Sequence, residues 1–191
     1  MKKDVKKQLL YLLPVYVGSL KYYEKLLPRL RETYEVQFLI IRPDDERRRG
    51  MLSYCSVRGL PFMVLDAGLG NSGPRIPLIS ATRKHLAHQA ACRTLFDTTP
   101  NAKLVAVKAI AGFKPIFREA NHRGIETIVL QSALVPPPNF YRKDADSFKI
   151  SFTYRFYYSI LNTLFFVSDT LMNGWSYRFV STRPKKVGVI G

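Results

Sequence analysis

The sequence predicts an α/β protein, a Rossmann-like three-layer αβα sandwich with a mainly parallel sheet and a C-terminal aromatic helical insertion. Through residues 1–133, short apolar runs alternate with amphipathic stretches, and Gly or Pro marks the turns between them. The apolar runs lack polar alternation, as expected of parallel strands that helices cover on both faces. A length of 191 residues suits one such domain and is too short for two nucleotide-binding folds.

Five apolar runs are the predicted strands. The first follows a basic start, as in a signal peptide, but it is short, contains Pro14 and has no small-residue cleavage site after it. A buried strand explains this run better. The predicted strands are Leu9–Val17, Val36–Ile41, Phe62–Asp66, Leu104–Val107 and Thr127–Leu130.

Four amphipathic stretches between these runs are the predicted helices. In the first, Tyr23, Leu27 and Leu30 recur at three- and four-residue spacing and form one apolar stripe. Gly59 and Gly124 supply stops after the second and fourth. The predicted helices are Lys21–Glu32, Asp44–Val57, Leu78–Phe96 and Phe113–His122.

The alternation breaks after Leu130. A proline-rich segment, Val135–Asn139, predicts a loop that continues through Lys149, and a long aromatic helix is predicted from Phe152 to Met172. Its uncharged centre is too short to span a bilayer. One side of this helix carries Phe152, Phe156, Ile160, Leu164, Val167 and Leu171.

The domain boundary is predicted near the C-terminus. Residues 1–183 are expected to form the N-terminal, Rossmann-like domain, and residues 184–191 to open a second domain. The run Val187–Gly191 looks like the start of a buried strand. We therefore expect a longer protein, with the missing part on the C-terminal side.

The charge balance predicts an anionic partner. Thirty Lys and Arg against fourteen Asp and Glu give a formal net charge of +16, which suits nucleic acid, an acidic membrane surface or a phosphorylated or nucleotide-bearing substrate. The two cysteines, Cys55 and Cys92, are too few for a disulfide framework. They indicate a reducing compartment, so we expect a cytoplasmic protein.

Two short patterns have a possible functional interpretation and a plainer one. Gly68–Gly73 spells GxGxxG, but it follows the third strand, and Pro74 and Pro77 separate it from the next helix. A loop at the carboxyl edge of the sheet is therefore favoured over a dinucleotide site.

His85, His88 and Cys92 share a helix face, yet a zinc site needs further ligands. Ordinary helix residues are favoured there, with Cys92 packed as a small hydrophobe. We predict no metal site, and no triad, P-loop lysine or carboxylate pair identifies a catalytic residue.

The segment from Arg142 to Arg178 combines positive charge with aromatic bulk, which is typical of a membrane interface. A helix that packs on this domain or on a missing one explains it equally well. Nucleic acid binding by stacked aromatics is the weaker third interpretation. The residues predicted to contact a membrane are Arg142, Lys143, Arg155, Tyr157, Tyr158, Trp175 and Arg178.

The order of elements resembles the N-terminal domain of GT-B glycosyltransferases across most of residues 8–133. The resemblance lies in a first strand followed by Gly18 and Ser19, a helix containing Leu26–Leu30, a second strand Glu35–Ile41, and a fifth strand within His122–Ser132. UDP-N-acetylglucosamine 2-epimerases share the two-domain plan and are similar as well.

The resemblance implies two facing Rossmann-like domains. The C-terminal one would hold a nucleotide-sugar donor, so no cofactor is expected in this domain, and the N-terminal one would hold the acceptor. The implied acceptor-binding residues lie in loops at the strand ends: Gly18, Ser19, Gly68, Gly70, Asn71, Ser72, Gly73, Gln131 and Ser132. No position matches a catalytic base.

These observations together predict the acceptor-binding half of a glycosyltransferase of polysaccharide biosynthesis, inactive on its own and peripheral to the inner membrane face. The expected partners are the C-terminal domain, a glycan or lipid-linked acceptor and an anionic membrane surface. A non-catalytic basic α/β module for nucleic acid or a protein partner, and half of a nucleotide-sugar epimerase, are the alternatives.

Overall fold

A computed structural model of the chain describes residues 7–42, 46–66, 77–106, 113–132, 152–183 and 185–190. Strands and helices alternate along these residues. The elements are β1 (Gln8–Leu13), α1 (Val17–Thr33), β2 (Tyr34–Arg42), α2 (Glu46–Val57), β3 (Phe62–Asp66), α3 (Leu78–Thr98), β4 (Lys103–Ala106), α4 (Lys114–His122), β5 (Glu126–Ser132), α5 (Phe152–Asn173), a 3-10 helix (Trp175–Phe179) and β6 (Lys186–Ile190).

The six strands form one parallel sheet in the order β3-β2-β1-β4-β5-β6. The chain enters at the centre, since Leu12 of β1 is paired with Phe38 on one side and with Val105 on the other. It winds outward to β3, crosses back through α3, and winds outward again to β6. This doubly wound order is that of a Rossmann-like fold, and it confirms the predicted fold class.

Both faces of the sheet are buried, which is why the predicted strands lack polar alternation. Along β1, Leu10 and Leu12 pack with the core beneath α1 and α2, whereas Tyr11 and Leu13 pack with the core beneath α3 and α4. Two hydrophobic layers therefore sandwich the sheet, with α1 and α2 on one side and α3 and α4 on the other.

The predicted end of the first strand, Val17, is wrong. β1 ends at Leu13, because Pro14 has no N–H with which to continue the ladder, and α1 already begins at Val17. Gly18 and Ser19 consequently lie in the first turn of a helix.

The other predicted elements agree with the structure to within a few residues. β3 has the predicted bounds, and α3 continues two residues beyond Phe96 to Thr98. Asp44 and Val107, which were predicted to begin α2 and to end β4, lie outside the described residues.

The segment predicted to open a second domain forms the edge of this sheet. Lys186–Ile190 is β6, and it pairs in parallel with β5, Val187 opposite Val129. In this structure the strand therefore belongs to the sheet of the first domain. The existence of a second domain stays a prediction.

Candidate functional site

The strand order places a topological switch point between the carboxyl ends of β1 and β4, where a ligand-binding crevice is expected. The connection after β1 leads through α1 to β2 on one side, and the connection after β4 leads through α4 to β5 on the other. The two connections diverge, and open α/β sheets bind ligands at such a switch point. In the described chain, its walls begin at Pro14 and Ala106.

Tyr16 and Gly18 shape the β1 side of this crevice. Tyr16 is 55% exposed, and its ring lies across Gly18, where a Cβ would come within 2.5 Å of ring carbon Cε2. Glycine thus lets an exposed aromatic ring lie against the first turn of α1. Sequence analysis missed Tyr16, although an aromatic residue between a central strand and a glycine was a usable signal.

Ser19 fixes the same turn from inside. Its side chain is buried, and its Oγ accepts hydrogen bonds from the backbone N–H groups of Val15, at 2.9 Å, and Tyr16, at 3.1 Å. Its hydroxyl also donates to the Tyr16 carbonyl at 2.6 Å. The structure therefore gives Ser19 a role in shaping the turn, and its role in binding an acceptor stays a prediction.

The remaining predicted acceptor residues divide into two groups. Gln131 and Ser132 end β5, where their backbones pair with β6 at the same carboxyl edge as Gly18. Because β4 lies between β1 and β5, the axes of those two strands are about 10 Å apart. The predicted loop Gly68–Gly73 lies outside the described residues.

Five of the seven predicted membrane residues lie on or near α5. Trp175 is 61% exposed just after the helix, and Tyr157 is half-buried. The structure describes the backbone, but not the side chains, of Arg155, Tyr158 and Arg178. Arg142 and Lys143 fall outside the described residues.

Part of the predicted apolar side of α5 is exposed. The exposed apolar side chains on the helix and just after it are Phe156, Phe166, Val167, Leu171, Met172 and Trp175. At about 100° per residue, Phe156, Val167 and Leu171 lie within about 60° of one another, and we define these three as the α5 apolar face. Leu171, at 80% exposure, is the most open of them. Across the described part of the chain, no helix has the length and apolarity needed to cross a membrane.

The opposite side of α5 is attached to the domain through Asp169, which is buried. Its Oδ1 accepts hydrogen bonds from His85 Nε2 at 2.9 Å and Gln89 Nε2 at 2.5 Å, both on α3, and its Oδ2 pairs with Arg118 of α4. Phe165 stacks on the His85 ring, with 4.0 Å between centroids. Burial alone would raise the pKa of Asp169, but the hydrogen bond from His85 and the positive charge of Arg118 outweigh it and lower that pKa.

Glu119 is a second buried carboxylate in the same helical layer. It accepts hydrogen bonds from Arg123 Nε at 2.7 Å and from the Tyr177 hydroxyl at 2.8 Å. Burial, followed by the hydrogen bond to Glu119, raises the pKa of Tyr177 far above its ordinary value. The 3-10 helix is thereby held against α4.

The histidines and the cysteine of the α3 face are packed against neighbouring side chains. Cys92 is fully buried in the core, where burial raises its thiol pKa strongly, and its Sγ lies 3.9 Å from His88 Nε2. His85 is paired with Asp169. Within the described residues, no three His, Cys, Asp or Glu side chains are grouped so as to hold a metal ion.

The strand order and the buried faces define a doubly wound parallel α/β protein of Rossmann-like topology. No protein-family model matches the chain, and a search of curated proteins finds no match. Among solved structures, it is similar to MurG from Acinetobacter baumannii, with 14% identity and a TM-score of 0.45 over 72% of this chain and 39% of the MurG chain. It is also similar to a de novo designed protein with a P-loop NTPase fold, with 12% identity and a TM-score of 0.39 over 88% of this chain and 95% of the design. The chain thus spans about two-fifths of the length of the MurG chain that it matches.

Proposed function

We propose that this chain is the acceptor-binding half of a glycosyltransferase that moves a sugar from a nucleotide-sugar donor to a glycan or lipid-linked acceptor. The observation that carries the proposal is the topological switch point between the carboxyl ends of β1 and β4, where Tyr16 is exposed. Support also comes from the order of elements in the sequence, which resembles the N-terminal domain of GT-B enzymes.

The acceptor binds across the crevice. The exposed ring of Tyr16 offers an apolar platform for one face of a sugar, and its hydroxyl can bond to a sugar hydroxyl. Gly18 has no Cβ, which leaves room for this ring to lie against the first turn of α1. The ends of β5, at Gln131 and Ser132, contact the far side of the acceptor. The donor belongs to the rest of the enzyme.

Acceptor binding is tested by assigning the backbone amide resonances of the protein and titrating it with two probes: chitobiose and a short-chain isoprenyl pyrophosphate-linked N-acetylglucosamine. We expect shift changes at Tyr16, Gly18 and Ser132 with at least one probe. Changes confined to the helical surfaces, or no change with either probe, would contradict acceptor binding at this crevice.

The enzyme works at a membrane surface, with the α5 apolar face in the lipid interface. Exposed aliphatic and aromatic side chains together with a net charge of +16 suit an anionic bilayer. Flotation with vesicles of phosphatidylglycerol and phosphatidylcholine tests this. We expect binding at low salt that weakens as salt is added.

Leu171→Ser should reduce flotation, because it removes the most exposed member of the face. Val57→Ser is the matched control, since Val57 is 81% exposed on α2, in the opposite helical layer. A protein that stays wholly in solution at low salt, or equal losses in the two variants, would contradict the membrane contact.

A non-catalytic binding module is the second candidate. The excess of positive charge and the lack of a catalytic motif in the sequence favour it. Tight binding of a nucleic acid duplex at physiological salt, without any acceptor-induced change at Tyr16, would favour the module over the transferase.

A further inference from the structure

A cavity of about 220 Å³ lies among the carboxyl-terminal ends of α3, α4 and α5. These helix ends lead into the amino ends of β4, β5 and β6, so the cavity is at the sheet edge opposite the crevice. Its lining consists of Arg93, Glu119, His122, Arg123, Asn173 and Tyr177.

One buried hydrogen-bond donor in the lining has no partner among the described residues. The side-chain amide nitrogen of Asn173, at the end of α5, is buried and bonds to no group in the described chain. Leaving a buried donor unsatisfied is costly, and native structures seldom do so. An amide donor that lines a cavity is suited to a ligand with acceptor oxygens.

The acidic group in the lining is already neutralised. Glu119 is bonded to Arg123 and Tyr177, and Arg93 Nε lies 3.9 Å from its Oε2. Arg123 also pairs with Asp97, which lies outside the cavity. Arg93 makes no closer ion pair among the described residues, so its guanidinium donors are available to a ligand.

A neighbouring cleft of about 460 Å³ adds positive charge. It shares His122 with the cavity, and its other lining residues are Asn121, Val180, Ser181, Arg183 and Lys185. Among the described residues, no carboxylate lines this cleft. Four cationic side chains line the two spaces: Arg93, Arg123, Arg183 and Lys185. The carboxylates that pair with them are Glu119, in the cavity lining, and Asp97, outside it. Two positive charges therefore remain in excess.

Part of this positive charge is explained by the helix dipoles, whose negative ends lie at the carboxyl-terminal ends of the helices. His122 and Arg123 stand at the end of α4, where cations are favoured without any ligand. Arg183 and Lys185 belong to no helix, and the dipoles do not explain the unpaired Asn173 amide. Both features fit an anion that carries several acceptor oxygens.

We propose that this cavity and cleft bind a phosphate-bearing ligand. Asn173 and Arg93 hold one phosphoryl group inside the cavity, while Arg183 and Lys185 attract the rest of its charge from the adjoining cleft. The site is independent of the proposed acceptor crevice, because the two lie at opposite edges of the sheet.

The test is calorimetric titration with inorganic phosphate and with pyrophosphate in a chloride buffer of constant ionic strength. We expect both to bind, pyrophosphate more tightly. Arg93→Gln should weaken binding about tenfold or more. Arg83→Gln is the matched control, because Arg83 is exposed near the other end of the same helix, and it should leave the affinity within about twofold.

Asn173→Leu separates binding from folding. It removes the unsatisfied donor, so it should abolish phosphate binding without lowering the thermal midpoint. No binding by the unaltered protein at millimolar phosphate, or equal losses in the two arginine variants, would overturn the proposal.

Flotation with vesicles containing phosphatidic acid identifies the source of the phosphate. Flotation that falls more in Arg93→Gln than in Arg83→Gln assigns a lipid headgroup. Equal flotation of both variants, together with calorimetric binding, assigns a soluble ligand.

Discussion

The carboxylate of Asp169 on α5 accepts a hydrogen bond from Nε2 of His85 on α3, 2.9 Å away. The same carboxylate pairs with Arg118 of α4, so one buried acid joins three helices. This contact holds the inner side of α5 against the domain and leaves its apolar face exposed. The position of that face therefore depends on Asp169.

Asp169→Asn should destabilise the protein markedly, because it leaves the partly buried Arg118 without a counter-charge. We expect a loss of about 3 kcal/mol in the free energy of unfolding, measured by urea denaturation. Asp97→Asn, at an exposed ion pair with Arg123, is the control and should cost less than about 1 kcal/mol. Equal losses would mean that the three-helix contact contributes nothing particular to stability.

Glu126 should give the protein a specific acid sensitivity. Hydrogen bonds from Lys186 and Lys103 lower the pKa of Glu126 from its ordinary 4.5 to about 2. The folded state therefore binds this proton less readily than the unfolded state does. The resulting stabilisation is complete above pH 4.5 and is lost as the pH falls towards 2.

Glu126→Gln should accordingly flatten the fall in stability between those two pH values, as followed by urea denaturation across the acid range. Glu32→Gln, at an exposed position near the end of α1, is the control for loss of one carboxylate. An unchanged pH profile in Glu126→Gln would show that the lysine pairs do not form in solution.

Ser19→Ala should loosen the turn at the crevice. The backbone N–H groups of Val15 and Tyr16 lose the acceptor that the Ser19 hydroxyl provides. A loss of about 1–2 kcal/mol in unfolding free energy is expected. Hydrogen exchange should also become faster at Val15 and Tyr16. Unchanged exchange at both amides would contradict the hydrogen bonds described for this turn.

Tyr16→Ala should weaken acceptor binding with little effect on stability, because the ring is mostly exposed. A stacked sugar contributes about 1 kcal/mol, so affinity should fall about fivefold in the acceptor titration. Gly18→Ala should also weaken binding, since the new Cβ displaces the Tyr16 ring. Val57→Ala serves as an exposed apolar control. An acceptor affinity that neither crevice variant changes would exclude Tyr16 from the site.

The two thiols report on the two sides of the sheet. Cys55, on α2, is buried in the core that α1 and α2 form with one face of the sheet. Cys92, on α3, is buried in the core that α3 and α4 form with the other face. Burial raises the pKa of Cys55 to about 11 and that of Cys92 further. Both should resist a disulfide reagent at pH 8 and react together as urea unfolds the protein. Rapid reaction of Cys92 in native buffer would contradict the described core.

The order of strands and helices could be predicted from the sequence, because strands that are buried on both faces are apolar at consecutive positions. Runs such as Leu104–Val107 are apolar without alternation, and only a strand covered by two helical layers requires that pattern. The end of β1 was misplaced because Val15 continues the apolar run. What stops the strand is Pro14 together with the bonds that Ser19 makes to the backbone of the turn.

The polar contacts could not be predicted. Asp169 lies 84 residues from His85 and 51 from Arg118, and nothing in local sequence indicates such partners. The apolar side of α5 was recognised, but periodicity alone does not say which side of a helix meets the domain. The buried Asp169 decides this, because it places the opposite side of the helix towards solvent.

The parallel placement of β1 between β2 and β4 is the central claim, because the crevice exists only if those strands are neighbours. Nuclear Overhauser contacts between backbone protons of a labelled sample test it directly. The account predicts contacts from Leu12 to both Phe38 and Val105, in the pattern of parallel strands. Contacts that place β4 beside another strand, or that pair β1 with an antiparallel neighbour, would contradict it and remove the proposed acceptor site.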